Sequence, residues 1–157
     1  MDAVKRDGVP YELIEKALPT IEGEVNDILS QMVDFGIVLE MDGKNINTYL
    51  AYDADNVWPL ELSSGMERFI SSLAMRVGLI NVCNLPRANF LAIDEGFGNM
   101  DSDNLNSVYM LFQYLKSQFQ FAFIVSHIES MRDTVDSLLE ITKIKGFSNI
   151  SLPSKFS

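Results

Sequence analysis

The chain has 157 residues, a formal net charge of −10 and a single cysteine, Cys83. Its length suits one domain or one lobe of a larger domain, and an apolar fraction of 47% is enough for a hydrophobic core. A strongly acidic lobe repels phosphate backbones, which argues against a nucleic-acid clamp formed by this segment alone. One cysteine excludes an internal disulfide, and neither a secretory signal nor a membrane-crossing run of ~20 apolar residues is visible. We therefore expect no membrane partner and a reducing, intracellular location, either cytoplasmic or at the nucleus or nucleoid.

Residues 10–33 have the apolar spacing of a helix, with alternating steps of four and three. The stripe consists of Ile14, Leu18, Ile21, Val25, Ile28 and Met32. Pro19 lies inside it and lacks the N–H of an interior helical residue, which predicts a break with Pro19 in the first turn of a second helix. The stripe fits either an amphipathic helix on the core or the root of a coiled coil, and it is too short to distinguish them.

A pair of strands is predicted next. Apolar residues alternate with others from Phe35 to Asp42, the period of a half-buried strand, and residues 42–45 have the composition of a turn. Thr48–Tyr52 is predicted to form a second, antiparallel strand. Residues 57–62 are predicted to be extended, and Pro59 marks them as an edge or irregular strand.

From Ser64 onward the pattern changes to alternating helices and strands, with apolar runs typical of buried parallel strands. The predicted elements are a helix over 65–82 with Phe69, Leu73, Val77 and Ile80 on one side, a strand over 89–93, a helix over 102–118, a strand over Phe121–Val125, a short helix over 128–134 and a strand over Ser137–Lys143. This order predicts an α/β fold with at least two parallel central strands. We expect a helical segment over 1–33, one α/β lobe over 34–147 and a loose tail over 148–157.

The start of the helix over 65–82 carries a candidate binding motif. Ser64 and Glu67, three residues apart, form a capping box in which each side chain bonds the backbone N–H of the other residue. Taken alone, a helix cap is the simpler interpretation. The same geometry also forms an anion site, because free N–H groups and the helix dipole point out of the N-terminus, and Gly65 would let a phosphate approach the backbone.

Three more polar residues follow predicted strands. Asp94 and Glu95 come directly after the strand over 89–93, and His127, the only histidine, comes just after Phe121–Val125. Ligands of open α/β sheets lie beyond the carboxyl ends of strands, so these residues are candidates for one site. The first carboxylate could hold Mg²⁺, the second could polarise an attacking water, and the histidine could donate to a phosphate oxygen. The alternatives without a catalytic role are an acidic turn at Asp94 and Glu95 and a hydrogen-bonded loop histidine at His127.

The order of these motifs resembles the C-terminal half of the nucleotide-binding head of SbcC-like DNA-repair ATPases, which are ABC-type ATPases related to the structural-maintenance-of-chromosomes (SMC) proteins. The resemblance extends over roughly residues 10–145. Ser64–Arg76 resembles the signature helix of that family, Asp94–Asp101 its Walker B strand end and D-loop, and Ser126–Glu129 its switch histidine segment. Met66 departs from the usual S-G-G-E pattern at the second glycine. No G-x-x-x-x-G-K-[ST] loop occurs in the sequence.

The resemblance implies a P-loop-ATPase-like lobe that uses ATP and Mg²⁺. It implies that Glu95 and His127 are catalytic and that Asp94 binds the metal, at a nucleotide held by the Walker A loop on the N-terminal half of the same head. It also implies a set of nucleotide-binding residues: Ser64, Gly65, Met66, Glu67, Asn99 and Asp101. Of these, Ser64 and Gly65 would reach the γ-phosphate on a second head, so that two heads enclose two ATPs.

The implied function is hydrolysis of ATP to ADP and phosphate by a head that dimerises around ATP and drives double-strand-break repair or DNA end processing with a nuclease partner. DNA would be bound through the full assembly. Without a Walker A loop, the chain alone is expected to be inactive. A RecF- or RecN-like repair ATPase, or a chromosome-organising head, is the nearest alternative. A non-catalytic interaction lobe is an alternative from another class, and a transporter ATPase is disfavoured by the helix and strand pair that precede the signature.

Overall fold

The computed structural model describes residues 9–43, 45–83, 86–95 and 105–151. In chain order, the elements are α1 (Val9–Leu29), β1 (Gly36–Asp42), β2 (Asn45–Ala51), β3 (Val57–Pro59), a 3₁₀ turn (Leu60–Leu62), α2 (Gly65–Val82), β4 (Phe90–Asp94), α3 (Leu105–Gln118), β5 (Phe121–Val125), a 3₁₀ turn (Glu129–Met131), β6 (Glu140–Ile144) and β7 (Phe147–Ser151). The predicted α/β class is confirmed: β4 and β5 are parallel, whereas β1-β2-β3 and β6-β7 are antiparallel. No helix within these ranges is long and apolar enough to span a membrane.

Helix α1 is continuous, so the predicted break at Pro19 is wrong. An interior proline costs about 3 kcal/mol because it lacks an N–H and crowds the preceding turn. Leu18 before it, and Val25 and Leu29 after it, are all buried in the protein. Burial of side chains on both sides of the proline offsets that cost. Ile14 is 39% exposed, so the buried stripe begins at Leu18.

Side chains of α1 bond the outer edge of β1. The Asn26 side chain donates to the Ile37 carbonyl (2.9 Å) and accepts from the Ile37 N–H (2.8 Å). A carboxylate oxygen of Glu22 accepts from the Leu39 N–H (2.7 Å). Backbone groups at a covered strand edge need such partners. The helix therefore fixes where the three-stranded sheet lies.

The rest of this sheet follows the prediction in outline. β2 lies antiparallel to β1, although it starts earlier than predicted, at Asn45. β3 is at the edge of the sheet, as Pro59 indicated. The extended structure predicted for residues 60–62 is wrong, because they form a 3₁₀ turn. Ser63 closes that turn, since its N–H (3.2 Å) and its hydroxyl (2.6 Å) both donate to the Leu60 carbonyl.

Helix α2 has the predicted bounds, but its buried face is rotated from the predicted one. The buried residues are Met66, Ile70, Ser71, Leu73, Ala74, Val77 and Gly78. Ile80, which was predicted to lie on this face, is 37% exposed. Gly78 explains the rotation, because a residue without a side chain lets α1 approach until the Val25 side chain reaches the helix backbone. Helix α3 completes the core with Val108, Leu111, Phe112 and Leu115.

The parallel strands β4 and β5 are covered on one face only by the described residues. Leu91, Ile93 and Ile124 pack against the core. On the other face, the large side chains are exposed: Phe90, Phe121, Phe123 and Val125. The prediction of fully buried strands is therefore wrong for this outer face. A parallel sheet is normally covered on both faces, and the apolar sequence of these strands suits such an environment.

A hairpin includes residues 148–151, the first part of the tail over 148–157 that was predicted to be loose. β6 begins at Glu140 rather than at Ser137, and β7 continues the structure to Ser151. Lys145 and Gly146 connect the strands with positive φ angles of 51° and 87°. Two consecutive positive φ values are those of a type I′ turn, whose twist matches that of a two-stranded hairpin. This turn chemistry is the physical reason that the chain folds back here.

The contact at Gly78 provides a test of this packing. A Cβ added there would lie 2.8 Å from Val25 Cγ2. We expect Gly78→Ala to lower the free energy of unfolding by about 1–3 kcal/mol, because a buried, β-branched valine has little freedom to move aside. Gly23→Ala on α1 is the matched control, since its added Cβ meets no described atom within 4 Å. We expect that variant to gain about 0.5–1 kcal/mol. Urea unfolding measures both, and a stabilised Gly78→Ala would contradict the close helix contact.

Candidate functional site

The carboxyl ends of β4 and β5 bring together two of the predicted site residues. Asp94 ends β4 and lies opposite Val125, the last residue of β5. The Glu95 N–H donates to the Val125 carbonyl (3.0 Å) and extends the pairing by one residue. His127 Nδ1 then lies 3.7 Å from Glu95 Oε1. The register of the parallel pair thus places a carboxylate and an imidazole side by side at one sheet edge.

Glu95 has an unusual backbone conformation, with a φ of 58°. A non-glycine residue in this left-handed region costs about 1–2 kcal/mol, and such strain is concentrated at functional sites. The conformation ends the strand abruptly, and the hydrogen bond to Val125 holds it there. The side chains of His127 and Glu95 are 75% and 69% exposed. Both are therefore open to a ligand approaching the sheet edge.

The loop after β5 is tied to the core. The Ser126 hydroxyl donates to the sulfur of Met131 (3.3 Å), and its oxygen accepts from the Ile128 N–H (3.2 Å). Met131 is buried in the core. These contacts hold the backbone on either side of His127, so its position beside Glu95 is set by the fold.

The N-terminus of α2 forms the second candidate surface. The Ser64 hydroxyl accepts from the Glu67 N–H (3.3 Å), and the Ser64 N–H donates to Glu67 Oε2 (2.6 Å). The predicted capping box is therefore confirmed. Ser64 is exposed and Gly65 is half-buried, so both are accessible at the helix end. Ser63, in contrast, is buried and bonded within its own turn.

Met66 points away from this surface. Its side chain is 7% exposed and belongs to the same core cluster as Met32 and Ile70. The residue that departs from the S-G-G-E pattern therefore contributes apolar packing behind the loop. The exposed part of the loop consists of Ser64 and the backbone of Gly65.

The sequence did not predict the part played by Tyr52, which lies just after β2. Its hydroxyl donates to Glu67 Oε1 (2.7 Å). This hydrogen bond, helped by partial burial, raises the pKa of Tyr52 to about 12. Burial tends to raise the pKa of Glu67, but the hydrogen bonds from Tyr52 and Ser64 outweigh it and lower that pKa. No local pattern links a tyrosine to a glutamate 15 residues away.

The chemistry of the donors at the sheet edge suits Mg²⁺. This ion prefers oxygen ligands and is usually held by one or two carboxylates together with phosphate oxygens and waters. Asp94 is exposed at the end of β4 and offers such a carboxylate. Asn99 and Asp101, predicted to bind nucleotide, lie outside the described residues.

No model of a known protein family matches the chain. Over 160 aligned residues it is 34% identical to uncharacterized protein R555 of Acanthamoeba polyphaga mimivirus, covering 92% of this chain and 12% of that protein. It is 28% identical over 160 residues to the DNA double-strand break repair Rad50 ATPase of Methanococcus maripaludis, covering 97% and 15%. It is 30% identical over 100 residues to the SbcC component of the SbcCD nuclease of Deinococcus radiodurans, covering 63% and 11%.

Solved structures decide the fold. A structure from work on the ATP-driven dimerization and DNA-stimulated activation of SMC ATPases matches with a TM-score of 0.73 and 15% identity, over 91% of this chain and 89% of that one. The fold is that of an SMC ATPase head. The SMC head domain from Thermotoga maritima also matches, with a TM-score of 0.63 and 21% identity, over 92% of this chain and 51% of that one. With the Rad50 and SbcC relatives, this SMC head fold confirms the resemblance recognised in the sequence. The chain spans between 11% and 15% of the length of these three relatives.

Acidification provides a test of the cap. The pKa of Glu67 is lowered from its ordinary value of 4.5. The carboxylate therefore stabilises the fold above that pH and loses its contribution as the pH falls through the lowered pKa. Tyr52→Phe removes one cause of the lowering, so we expect this variant to lose less stability than the parent between about pH 7 and about pH 3. Urea unfolding at both pH values measures the losses, with Tyr49→Phe on the neighbouring strand β2 as the control. Equal losses in all three proteins would contradict the assignment.

Proposed function

We propose that the chain is the C-terminal half of an ATP-binding and hydrolysing head, which dimerises around ATP and drives DNA double-strand-break repair or end processing with a nuclease partner. The proposal rests on one observation: Glu95 and His127 lie close together at the carboxyl edge of the parallel strands, with Asp94 beside them. The sequence relatives named for double-strand-break repair and for a nuclease complex support the choice of process.

At the sheet edge, each residue has a distinct role. Asp94 would hold Mg²⁺, which neutralises phosphate charge when it is bound. The carboxylate of Glu95 would orient and polarise the water that attacks the γ-phosphate. His127, 3.7 Å away, would donate to a γ-phosphate oxygen and respond to its loss. The left-handed backbone of Glu95, held by its N–H bond to Val125, fixes the point on the sheet edge from which the carboxylate side chain extends.

The cap of α2 would serve the nucleotide of the opposite head. Its exposed serine and the backbone of Gly65 lie at a helix N-terminus, which attracts phosphate oxygens. Glu67 stabilises the cap by accepting a hydrogen bond from the Ser64 N–H. Asn99 and Asp101, on the D-loop, would line the seam between the two heads. One chain would thus contribute to two different ATP sites.

The N-terminal half of the head, with the Walker A loop, would cover the outer face of β4 and β5. That face exposes three phenylalanines, of which Phe90 and Phe121 stack with ring centroids 5.5 Å apart. A parallel sheet needs such a cover. The two halves together would bring the phosphate loop to the same sheet edge as Glu95. DNA would be bound by the assembly rather than by this acidic lobe.

A chromosome-organising head is the second candidate, and the fold match to SMC ATPase heads favours it specifically. It shares the ATP chemistry proposed above and differs in the partner. A non-catalytic interaction lobe has less support, because the acidic pair and the histidine are all present and adjacent at the sheet edge.

The role of Glu95 can be tested in a head assembled from this chain and a Walker A-bearing half. We expect Glu95→Gln to lower the turnover number for ATP by about 10²–10⁴, since the amide cannot act as a general base. ATP-bound dimers should accumulate. Glu40→Gln, an exposed carboxylate on β1, is the control and should turn over normally. If Glu95→Gln hydrolysed ATP at the parent rate, Glu95 would have no catalytic role.

The role of Ser64 is tested by Ser64→Arg in the same assembled head. A bulky cation at the tip of α2 would have to be buried between the heads, so we expect ATP-dependent dimerisation to weaken by at least about tenfold. ATP binding to the single head should be unchanged. Gln113→Arg, at an exposed position of α3, adds the same charge elsewhere and serves as the control. Gel filtration with ATP gives the measurement, and normal dimers of Ser64→Arg would oppose the proposal.

A further inference from the structure

The carboxylate of Glu67 is held from two sides. One oxygen accepts from the Ser64 N–H (2.6 Å), within the cap itself. The other accepts from the Tyr52 hydroxyl (2.7 Å), which comes from the antiparallel sheet. A capping box needs only the first of these bonds. The second joins the cap to a separate part of the fold.

The tyrosine ring, which is 45% exposed, contacts two other aromatic rings. Its centroid lies 5.6 Å from that of Phe35, which follows α1, and 5.5 Å from that of Trp58 on β3. The backbone N–H of Tyr52 donates to the Asn56 carbonyl (3.1 Å), which closes the loop between β2 and β3. A tyrosine has only two side-chain torsions, so these contacts leave its hydroxyl little freedom. The donor is therefore directed at Glu67 by the sheet.

These bonds form one continuous series from α1 to the cap. Asn26 of α1 exchanges two hydrogen bonds with Ile37 of β1, and β1 pairs with β2. Tyr52 follows β2 and bonds Glu67. A displacement of α1 relative to α2 would therefore change the position of the tyrosine hydroxyl relative to the cap.

We propose that Tyr52 is a positioning residue for the nucleotide-binding end of α2, and that it makes the orientation of Ser64 and Gly65 depend on the position of α1. The inference rests on the proposed role of Ser64 and Gly65 in binding the nucleotide of the opposite head. Tyr52 acts through Glu67 and need not touch the nucleotide. Its hydroxyl keeps the glutamate turned toward the Ser64 N–H, so that the exposed serine is presented in one orientation.

The experiment uses the assembled head and three variants: Tyr52→Phe, Glu67→Gln and the two combined. Tyr52→Phe keeps the ring contacts and removes only the hydroxyl. We expect ATP-dependent dimerisation of this variant to weaken by about tenfold, because a less ordered cap must then be ordered when the heads associate. ATP affinity of the single head should stay at the parent value. The double variant should be no weaker than Glu67→Gln alone, because both changes act through the same carboxylate.

Hydrogen exchange of the Ser64 amide, measured on the nucleotide-free head, is a second readout. It should become faster in Tyr52→Phe, because the acceptor of that N–H is less well held. Tyr49→Phe is the matched control on β2 and should match the parent in exchange and in dimerisation. A parent-like result for Tyr52→Phe in both measurements would overturn the positioning role. So would additive losses in the double variant, or a parallel loss of ATP affinity.

The test also separates this inference from the proposed function. If Ser64→Arg dimerises normally with ATP, the proposed role of the cap fails, whatever Tyr52→Phe does. If Ser64→Arg blocks dimerisation and Tyr52→Phe behaves like Tyr49→Phe, only the positioning role fails. Loss of dimerisation in both, with faster Ser64 exchange in Tyr52→Phe, supports both statements.

Discussion

The contact between α1 and α2 at Gly78 is the constraint on which the rest of the fold depends. Val25 is fully buried there, in a space that exists because residue 78 has no side chain. The same helix α1 carries Glu22 and Asn26, which bond the edge of β1. The helix contact therefore fixes the position of the three-stranded sheet, and the sheet places Tyr52 beside the first turn of α2. The close approach at Gly78 is thus linked to the helix cap through one hydrogen bond, from Tyr52 to Glu67.

The two candidate surfaces are built in different ways. At the sheet edge, the main chain does most of the positioning, through the left-handed Glu95 and its N–H bond to Val125. At the end of α2, side chains do it, through reciprocal bonds between Ser64 and Glu67. The first surface depends on the register of two strands, and the second on the identity of individual residues. The side chains of the sheet edge remain free to respond to a ligand.

The sequence predicted features that depend on local patterns and missed those that depend on packing. The capping box at Ser64 and the parallel order of β4 and β5 follow from short-range signals, and the structure has both. The break at Pro19 was wrong because burial elsewhere on α1 outweighs a local preference. The rotated buried face of α2 could not be predicted, since it depends on the close approach of α1 to Gly78. The hydrogen bond from Tyr52 to Glu67 joins two different elements, and no periodic pattern in the sequence indicates it.

The uncovered face of β4 and β5 affects how a single copy of the chain behaves in solution. Phe121 and Phe123 are 58% and 56% exposed, on strands whose outer edges have no partner among the described residues. Apolar surface beside unpaired strand edges is a template for pairing with another chain. The formal charge of −10 opposes that outcome, because identical acidic copies repel one another. Solubility of the unpartnered chain is thus a balance between aromatic surface and charge, and it should decline as added salt screens the repulsion.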